Sequence, residues 1–371
     1  MKTDLFVLCM IGMLTAVNQS DSQTHWPMHG HDARRTGYND VDGPTAAKLK
    51  WTFTFPAQRL QDNACPIIGP DGTIYQPTEN LFYAIRPDGN EKWKVSLVSG
   101  MRCAPALSSD GKKVYAIRFG TSDWKYYVAA LSTVDGSILW EYPLHDGSDV
   151  SYSSLAVDRD GVIYVGARVP EALYAVNPDG TLKWKYQNPE ATIYGMESPP
   201  TVSPEGLVCI GSNYEGIVIV DSTGQKINNW GEGSYWCVMP IDVSGRLYLS
   251  RPEPAAVYPE HSLIWRRWAF SIGACMPGIA LAERQGLLCA GDYEKAYCLN
   301  ISDGTTIWSN SITDRLAALD NIPAIARNNM LYMLDNLGNV FGISISDGSI
   351  VWQYQMDSPS LIWCPQSPAL G

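Results

Sequence analysis

Short apolar stretches separated by polar turns repeat along most of this chain. Within residues 154–187, four such stretches occur, at 154–157, 162–165, 172–176 and 182–186. Two of the turns between them end in Asp160-Gly161 and Asp179-Gly180. Asp-Gly is favoured in hairpin turns because glycine accepts a positive φ and aspartate bonds to nearby backbone. The pattern predicts four antiparallel strands that follow one another in the sequence.

Tryptophan marks the last stretch of each unit. The recurring residues are Trp51, Trp93, Trp140, Trp184, Trp230, Trp265, Trp308 and Trp352. Units of about 40–45 residues with four strands each are typical of a β-propeller, in which every unit is one blade. We therefore predict an all-β protein whose recurring indoles are structural docking residues, packed between neighbouring blades.

The repeats predict an eight-bladed β-propeller of four-stranded antiparallel blades. Seven complete blades are expected near residues 64–97, 102–144, 153–187, 197–232, 237–270, 274–312 and 321–356. A partial eighth blade would take its outer strand from residues 48–55 and its inner strand from 364–371, so that the two chain ends close the ring and remove free edges. Since no segment supplies a middle hairpin for it, an open eighth blade, a truncated sequence and a seven-bladed ring with loose ends stay as alternatives.

The N-terminal 22 residues have the pattern of a cleaved signal peptide. Lys2 precedes a mostly apolar run over residues 5–17, too short for a membrane span of about 20 residues and suited to the core of a secretion signal. Cys9 lies inside this run, so no lipoprotein anchor is predicted. We expect a secreted or periplasmic protein without a transmembrane segment, in which residues 23–371 form one propeller domain and residues 23–47 an N-terminal clamp along it.

The charge balance limits the classes of partner. The chain of 371 residues has a formal net charge of −11, so a broad surface for nucleic-acid phosphates is not expected. The simplest explanation of this negative charge is that it keeps the protein soluble. We expect a monomer.

Two sequence features resemble one known family. Residues 26–37 resemble the N-terminal signature of pyrroloquinoline-quinone-like (quinoprotein-type) β-propellers, and residues 84–93, 130–140, 175–184, 298–308 and 342–352 resemble their tryptophan-docking motif. The resemblance covers residues 26–371 and is closest to the non-enzymatic exported members. It implies the fold but not the function, because the family includes both quinone-dependent dehydrogenases and the lipoprotein scaffold of bacterial outer-membrane protein assembly.

A quinone dehydrogenase of this family is expected to stack its cofactor between a tryptophan and a disulfide of adjacent cysteines, and to hold Ca²⁺ with Glu, Asn and Asp. The sequence contains no adjacent cysteine pair and no calcium-loop spacing. We therefore expect a binding or scaffold module with no catalytic residue, cofactor or metal. A pyrroloquinoline-quinone-dependent oxidoreductase with Ca²⁺ is the alternative. His25, His29 and His31 have metal-site spacing but are expected to belong to the clamp.

The ligand is expected at the funnel face, where each outer strand leads to the next inner strand and loops of all blades converge. The candidate residues there are Asn63, Arg102, Tyr152, Glu197, Trp236, Asp320, Asn321 and Trp363. Loops between second and third strands open on the same face and carry Trp124 and Tyr214. This mixture of aromatic, amide and acidic residues suits a protein, a small molecule or a glycan, and a carbohydrate-binding propeller is a further alternative.

Cysteine placement predicts one disulfide. Eight cysteines follow Cys9, and Cys289 and Cys298 fall opposite each other across one predicted hairpin. Cross-strand Cβ atoms are about 4.5–5.5 Å apart, which is near the disulfide distance. Asn300-Ile301-Ser302 is a possible glycosylation sequon in a eukaryotic exported protein.

Overall fold

The computed structural model describes residues 25–56, 64–97, 103–144, 153–188, 195–230, 238–249, 255–257, 263–266, 278–291, 295–312, 322–335, 338–356 and 367–371. Its strands form six four-stranded blades and one three-stranded sheet, and one of the blades gains a short additional strand. The four strands of each blade are antiparallel and follow chain order. The all-β propeller of four-stranded blades is therefore confirmed.

The strands are short, and each blade is continuous in the sequence. A short strand, β1 (Tyr38–Asn39), precedes the first blade, which contains β2 (Ile67–Ile68), β3 (Ile74–Pro77), β4 (Leu81–Ile85) and β5 (Glu91–Ser96). The second blade contains β6 (Ala106–Leu107), β7 (Lys113–Gly120), β8 (Lys125–Ser132) and β9 (Ile138–Pro143). The third contains β10 (Ala156–Val157), β11 (Ile163–Ala167), β12 (Ala172–Val176) and β13 (Leu182–Gln187). The fourth contains β14 (Thr201–Val202), β15 (Val208–Ser212), β16 (Gly216–Val220) and β17 (Lys226–Trp230).

The remaining sheets follow in the same order. The three-stranded sheet contains β18 (Leu247–Leu249), β19 (Ala255–Val257) and β20 (Leu263–Arg266). The fifth blade contains β21 (Ile279–Ala282), β22 (Leu287–Gly291), β23 (Lys295–Asn300) and β24 (Thr306–Ser311), with a short 3₁₀ helix (Glu283–Gln285) between its first two strands. The sixth blade contains β25 (Ala324–Ala326), β26 (Met330–Leu334), β27 (Asn339–Ser344) and β28 (Ile350–Gln355), and β1 pairs in parallel with β25.

The prediction of eight blades is wrong. Six blades have four strands in the described residues, and the unit predicted near 237–270 contributes the three-stranded sheet. Residues 48–55 and 367–371, predicted to share an eighth blade, contain no strand. Instead Phe55, Ala369 and Leu370 are buried in one hydrophobic cluster with residues of the first and sixth blades. These residues thus contribute to the junction by side-chain packing and not as strands of a blade.

The hydrophobic core is divided among the junctions between neighbouring sheets. The cluster between the second and third blades, for example, packs Tyr115 and Val128 of one against Val165 and Tyr174 of the other. Similar clusters join each sheet to the next, with the three-stranded sheet between the fourth and fifth blades. Because the last cluster joins the sixth blade to the first, the ring is closed.

A segment near the N-terminus, residues 26–41, contacts the inner edge of nearly every sheet, and we call it the hub. The backbone N–H groups of Ile68, Leu107, Val202, Ile241, Leu281 and Ile325 donate to the carbonyl oxygens of Trp26, Pro27, Ala33, Arg34, Thr36 and Gly37, respectively. These N–H groups lie on the inward edge of their sheets, where the ladder would otherwise end unpaired. The hub therefore supplies a backbone acceptor to the inner edge of every described sheet except the third blade.

The third blade reaches the hub through a side chain instead. Arg35 is fully buried, and its guanidinium donates to the carbonyl oxygens of Leu155 at 2.9 Å and Pro200 at 3.0 Å, as well as to that of His29. Burial lowers the pKa of Arg35 to about 9. Carbonyl oxygens surround this cation at hydrogen-bond distance, which offsets much of the cost of removing it from water.

The recurring tryptophans dock each blade onto the next turn along the ring. The indole N–H groups of Trp51, Trp93, Trp140, Trp184, Trp308 and Trp352 donate to the carbonyl oxygens of Pro87, Thr133, Pro178, Ser222, Ile345 and Pro44, respectively. Trp230 packs against the cluster between the fourth blade and the three-stranded sheet. Trp265 lies on β20, and its side chain is outside the described residues.

Glycine is required where an indole covers the turn. Gly224 has a φ of +86°, and a Cβ atom there would lie 2.7 Å from the Trp184 ring. Gly206, in a turn of the same blade, has a nearly equal φ of +87°, but its closest neighbour would be 3.9 Å away. A side chain at either position would therefore cause similar backbone strain, but only at Gly224 would it also collide with an indole ring.

We expect Gly224→Ala to lower the free energy of unfolding by about 2–5 kcal/mol, because backbone strain and overpacking against Trp184 add. Gly206→Ala, the matched control, should lower it by about 1–2 kcal/mol from strain alone. Urea unfolding followed by tryptophan fluorescence measures both. Equal losses in the two variants would contradict the role assigned to the docked indole.

Candidate functional site on the loop face

The two ends of the propeller are built from different connections. One end, which we call the loop face, carries the loops between second and third strands and the connections from one sheet to the next. The opposite end, the turn face, carries the turns between first and second strands and between third and fourth strands. The funnel predicted from the sequence is on the loop face.

Most of the predicted funnel residues lie outside the described residues. These are Asn63, Arg102, Tyr152, Trp236, Asp320, Asn321 and Trp363. Glu197 is described, and it is 4% exposed. Its Oε1 atom lies 2.8 Å from Nε of Arg168 on the neighbouring loop, which makes it part of an ion pair between the third and fourth blades.

The histidines of the N-terminal segment are not part of a metal-binding group in the described residues. Nε2 of the buried His29 lies 3.1 Å from Oγ of Ser367, and burial lowers the pKa of His29 to about 3, with a smaller effect from Arg35. His31 packs edge-on against Trp26, at a centroid distance of 5.1 Å. Across the described ranges, no group of three His, Cys, Asp or Glu side chains is placed to hold a metal ion.

The cysteines predicted to pair are opposite each other on β22 and β23. Cys289 and Cys298 face each other in the strand register and are joined by an S–S bond of 2.00 Å. Both are fully buried inside the fifth blade. Asn300, of the predicted sequon, lies at the end of β23, where its Oδ1 atom accepts hydrogen bonds from the N–H and hydroxyl of Ser302.

A buried carboxyl group sits between the third and fourth blades near the loop face. Glu171 is fully buried, and both of its carboxylate oxygens lie within hydrogen-bond distance of Oγ of Ser212, at 2.8 and 2.9 Å. Burial, with a smaller contribution from nearby Glu215, raises the pKa of Glu171 to about 7. Such a pKa suits acid–base chemistry, but the carboxyl group is closed off from solvent.

The groups around Glu171 form one network across the two blades. Oγ of Ser212 accepts hydrogen bonds from the backbone N–H groups of Tyr214 and Glu215, each at 3.0 Å, at the start of the β15–β16 loop. The Glu215 carboxylate in turn accepts from the hydroxyl of Tyr186 at 2.6 Å and pairs with Lys226. Sequence reasoning missed this network, because a glutamate in a loop gives no sign that it is buried.

One hairpin of the loop face is longer than the others. Strands β7 and β8 are paired over eight residues, from Lys113 opposite Ser132 to Gly120 opposite Lys125. The other described pairs of second and third strands extend over three to five residues. Three additional residue pairs correspond to about 10 Å of strand, so this hairpin projects beyond its neighbours.

Aromatic side chains cover the tip of the β7–β8 hairpin. Trp124 is 75% exposed, and its ring lies edge-on to Phe119 at a centroid distance of 5.8 Å. Phe119 also contacts Tyr126, with centroids 4.9 Å apart. Lower on the hairpin, the Arg118 guanidinium lies 4.7 Å from the centroid of the Tyr127 ring and pairs with Glu141 of β9. The tip therefore exposes an aromatic surface, and the contacts of Arg118 stabilise the hairpin below it.

The described residues do not fit the quinone site that the fold family implies. The disulfide present joins residues on two strands, is fully buried in the fifth blade and presents no surface on which a cofactor ring would stack. The described residues also lack a cluster suited to Ca²⁺.

This geometry defines the class of protein: a closed ring of four-stranded blades joined by docked tryptophans is a quinoprotein-type β-propeller. The family described as "Outer membrane protein assembly factor BamB" matches residues 11–258 and 255–370, and the chain belongs to this family. No curated protein matches the sequence. In the described part of the chain, no helix is long and apolar enough to cross a membrane.

Solved structures of both functional types share the fold. The quinohemoprotein alcohol dehydrogenase from Comamonas testosteroni is 13% identical, with a TM-score of 0.67 over 92% of this chain and 74% of that one. BamB from Moraxella catarrhalis is 14% identical, with a TM-score of 0.54 over 82% of this chain and 87% of its own. A europium-containing methanol dehydrogenase is 12% identical, with a TM-score of 0.50 over 91% and 86%. At this identity the likeness shows the fold alone.

The raised pKa of Glu171 predicts a pH-dependent stability. Because the folded protein favours the protonated carboxyl, this group's contribution to stability is complete below the unfolded pKa and is lost as the pH rises towards about 7. Glu171→Gln removes the titration and keeps an oxygen acceptor for Ser212. At pH 8 the variant should exceed the wild type in free energy of unfolding by about 1–3 kcal/mol, and at pH 4 the difference should vanish.

The measurement is urea unfolding between pH 4 and 8, with Glu205→Gln as the control for replacing an exposed glutamate by glutamine. An unchanged difference across this range would show that Glu171 does not titrate as stated.

Proposed function

We propose that the chain is an exported β-propeller that binds a protein partner on its loop face and has no catalytic activity of its own. The observation that carries this proposal is the projecting β7–β8 hairpin with Trp124 at its tip. Export is supported by the apolar N-terminal pattern of residues 5–17 and by the family to which the chain belongs.

The form of the hairpin favours a macromolecular partner. A small ligand is normally enclosed in a concave pocket, whereas a projecting, convex aromatic surface is suited to insertion into a partner. Trp124 is supported by Phe119, and its backbone N–H donates to the carbonyl oxygen of Gly120 at 2.8 Å. A side chain and backbone that are already ordered lose less conformational entropy on binding.

The polar groups described on this face support binding rather than catalysis. Glu197 is paired with Arg168, Glu171 is held by Ser212, and Glu215 is paired with Lys226. A general base must come within hydrogen-bond reach of a substrate proton, and buried or mutually paired carboxylates are poorly placed for that. The aromatic tip is therefore the feature of the described loop face best suited to recognition.

The test uses the protein as bait for other exported proteins of its source. Trp124→Ala should reduce capture of a specific partner at least tenfold, because a buried aromatic anchor contributes about 2 kcal/mol or more to binding. The matched control is Val134→Ala, since Val134 is 77% exposed but lies on the turn face. Quantitative mass spectrometry of the captured proteins measures both, and equal capture by the two variants would contradict the proposal.

A second arm of this experiment addresses the oxidoreductase alternative. The purified protein is incubated with pyrroloquinoline quinone and Ca²⁺, and dye reduction is followed with alcohols and sugars as substrates. We expect no turnover. Stoichiometric quinone uptake with turnover would replace the scaffold function with a quinone-dependent oxidoreductase.

A further inference from the structure

The turn face contains a polar pocket that the proposed function does not use. It has a volume of about 310 Å³ and lies between hub residues 31–40 and residues 281–284 of the fifth blade. The 3₁₀ helix Glu283–Gln285 forms one wall, and the hub forms the other. The pocket is therefore at the opposite end of the propeller from Trp124.

Two ion pairs cross this pocket from the hub to the 3₁₀ helix. Nη1 of Arg34 lies 2.7 Å from Oε1 of Glu283, and Nη1 of Arg284 lies 3.0 Å from Oδ1 of Asp40. Glu283 also accepts the backbone N–H of Val243 at 2.8 Å. A charged ligand would have to displace one member of a pair and leave its partner unpaired, which is costly in a partly buried site.

The pocket wall also has hydrogen-bonding capacity that the described residues leave unused. Asn39 is fully buried, and its Nδ2 group donates to the carbonyl oxygen of Leu370 at 2.7 Å, whereas its Oδ1 atom accepts no hydrogen bond from the described chain. His31 is 8% exposed, and its Nδ1 atom lies 3.8 Å from Oδ2 of Asp32, whereas its Nε2 atom has no hydrogen-bond partner in the described chain. Each unpartnered buried polar atom costs about 1–3 kcal/mol, so a polar ligand that reaches these groups gains correspondingly.

The accessible groups are a balanced set of donors and acceptors. Arg34 is partly exposed, as is Asp32, whose carboxylate accepts hydrogen bonds from the backbone and hydroxyl of Thr36. Carboxylates and guanidinium groups can each bind two adjacent hydroxyl groups, as acceptor and donor respectively. A volume of about 310 Å³ is at the small end of ligand pockets and suits one ring rather than an oligomer.

We propose that this pocket binds an uncharged polyhydroxylated ring, a monosaccharide or a cyclic polyol. The ligand's hydroxyl groups donate to the carboxylates of Asp32 and Asp40 and accept from the guanidinium groups of Arg34 and Arg284. Tyr38, at the side of the pocket, provides a ring for its apolar face. The two ion pairs stay intact, which selects against charged relatives of the same ring.

The test is calorimetric titration of the full chain with D-glucose, D-galactose and myo-inositol, and with D-glucuronate and D-glucosamine as charged counterparts. We expect at least one neutral compound to bind with a Kd of about 0.1–5 mM and tenfold more tightly than the charged ones. Arg284→Met should weaken this binding at least tenfold. The matched control is Arg327→Met, since Arg327 forms the equivalent hub-side ion pair with Asp42, at 2.9 Å, outside the pocket.

Four results would overturn the assignment: no binding by any neutral compound at about 50 mM, tighter binding of a charged compound, unchanged affinity in Arg284→Met, or equal weakening in Arg327→Met. Circular dichroism checks the fold of both variants, which should be unchanged because the substituted side chains are exposed. Trp124→Ala, on the opposite face, should leave the sugar affinity unchanged. Failure of this inference is therefore distinct from failure of the loop-face function.

Discussion

The fold depends on hydrogen-bond partners for the backbone groups at the inner edges of its sheets. Without partners, the inward N–H and C=O groups of these edges would be unpaired at the centre of the ring, and unpaired buried backbone groups are strongly unfavourable. The hub provides carbonyl oxygens for six of the sheets, and the Arg35 guanidinium binds carbonyl oxygens of the remaining one. The blades are thus joined at the rim by docked tryptophans and at the centre by one stretch of main chain.

This central segment makes the two faces of the propeller chemically different. On the turn face the hub lies against the first strands and brings Arg34 and Asp40 within reach of the fifth blade, which creates a polar pocket lined by both carboxylates and guanidinium groups. The loop face has no such segment in the described residues, and its character comes from individual loops. The longest described hairpin there presents exposed aromatic side chains, while Glu197 and Glu215, elsewhere on this face, are paired with Arg168 and Lys226. Binding at either face is compatible with this fold, which both BamB and quinone-dependent dehydrogenases share.

Local sequence signals predicted the strands well. Asp-Gly turns indicate hairpins, and the recurring tryptophans indicate packing between blades, so the four-stranded units could be predicted from them. Counting residues on either side of one turn was enough to place Cys289 opposite Cys298. The blade number was wrong because a tryptophan and an apolar terminus resemble parts of a blade even without the hairpin that makes a sheet. The sequence led us to expect that residues 23–47 form a clamp along the propeller, but not which of its carbonyl oxygens binds which sheet, since carbonyl oxygens are common to all residues. The burial of Glu171 and the aromatic contacts of Trp124 could not be predicted, because both depend on loop conformation, which the pattern of polar and apolar residues does not specify.

The hub also has a consequence for the order of folding. His29 contacts Ser367, 338 residues away, and Asn39 contacts Leu370, 331 residues away. The hub therefore obtains its last partners only when residues 367–370 are available. Such long sequence separations slow folding, because loop-closure entropy is lost before the contacts form. The first blades can collapse during synthesis, but the ring can close only afterwards, and until then their inner edges are open to incorrect pairing.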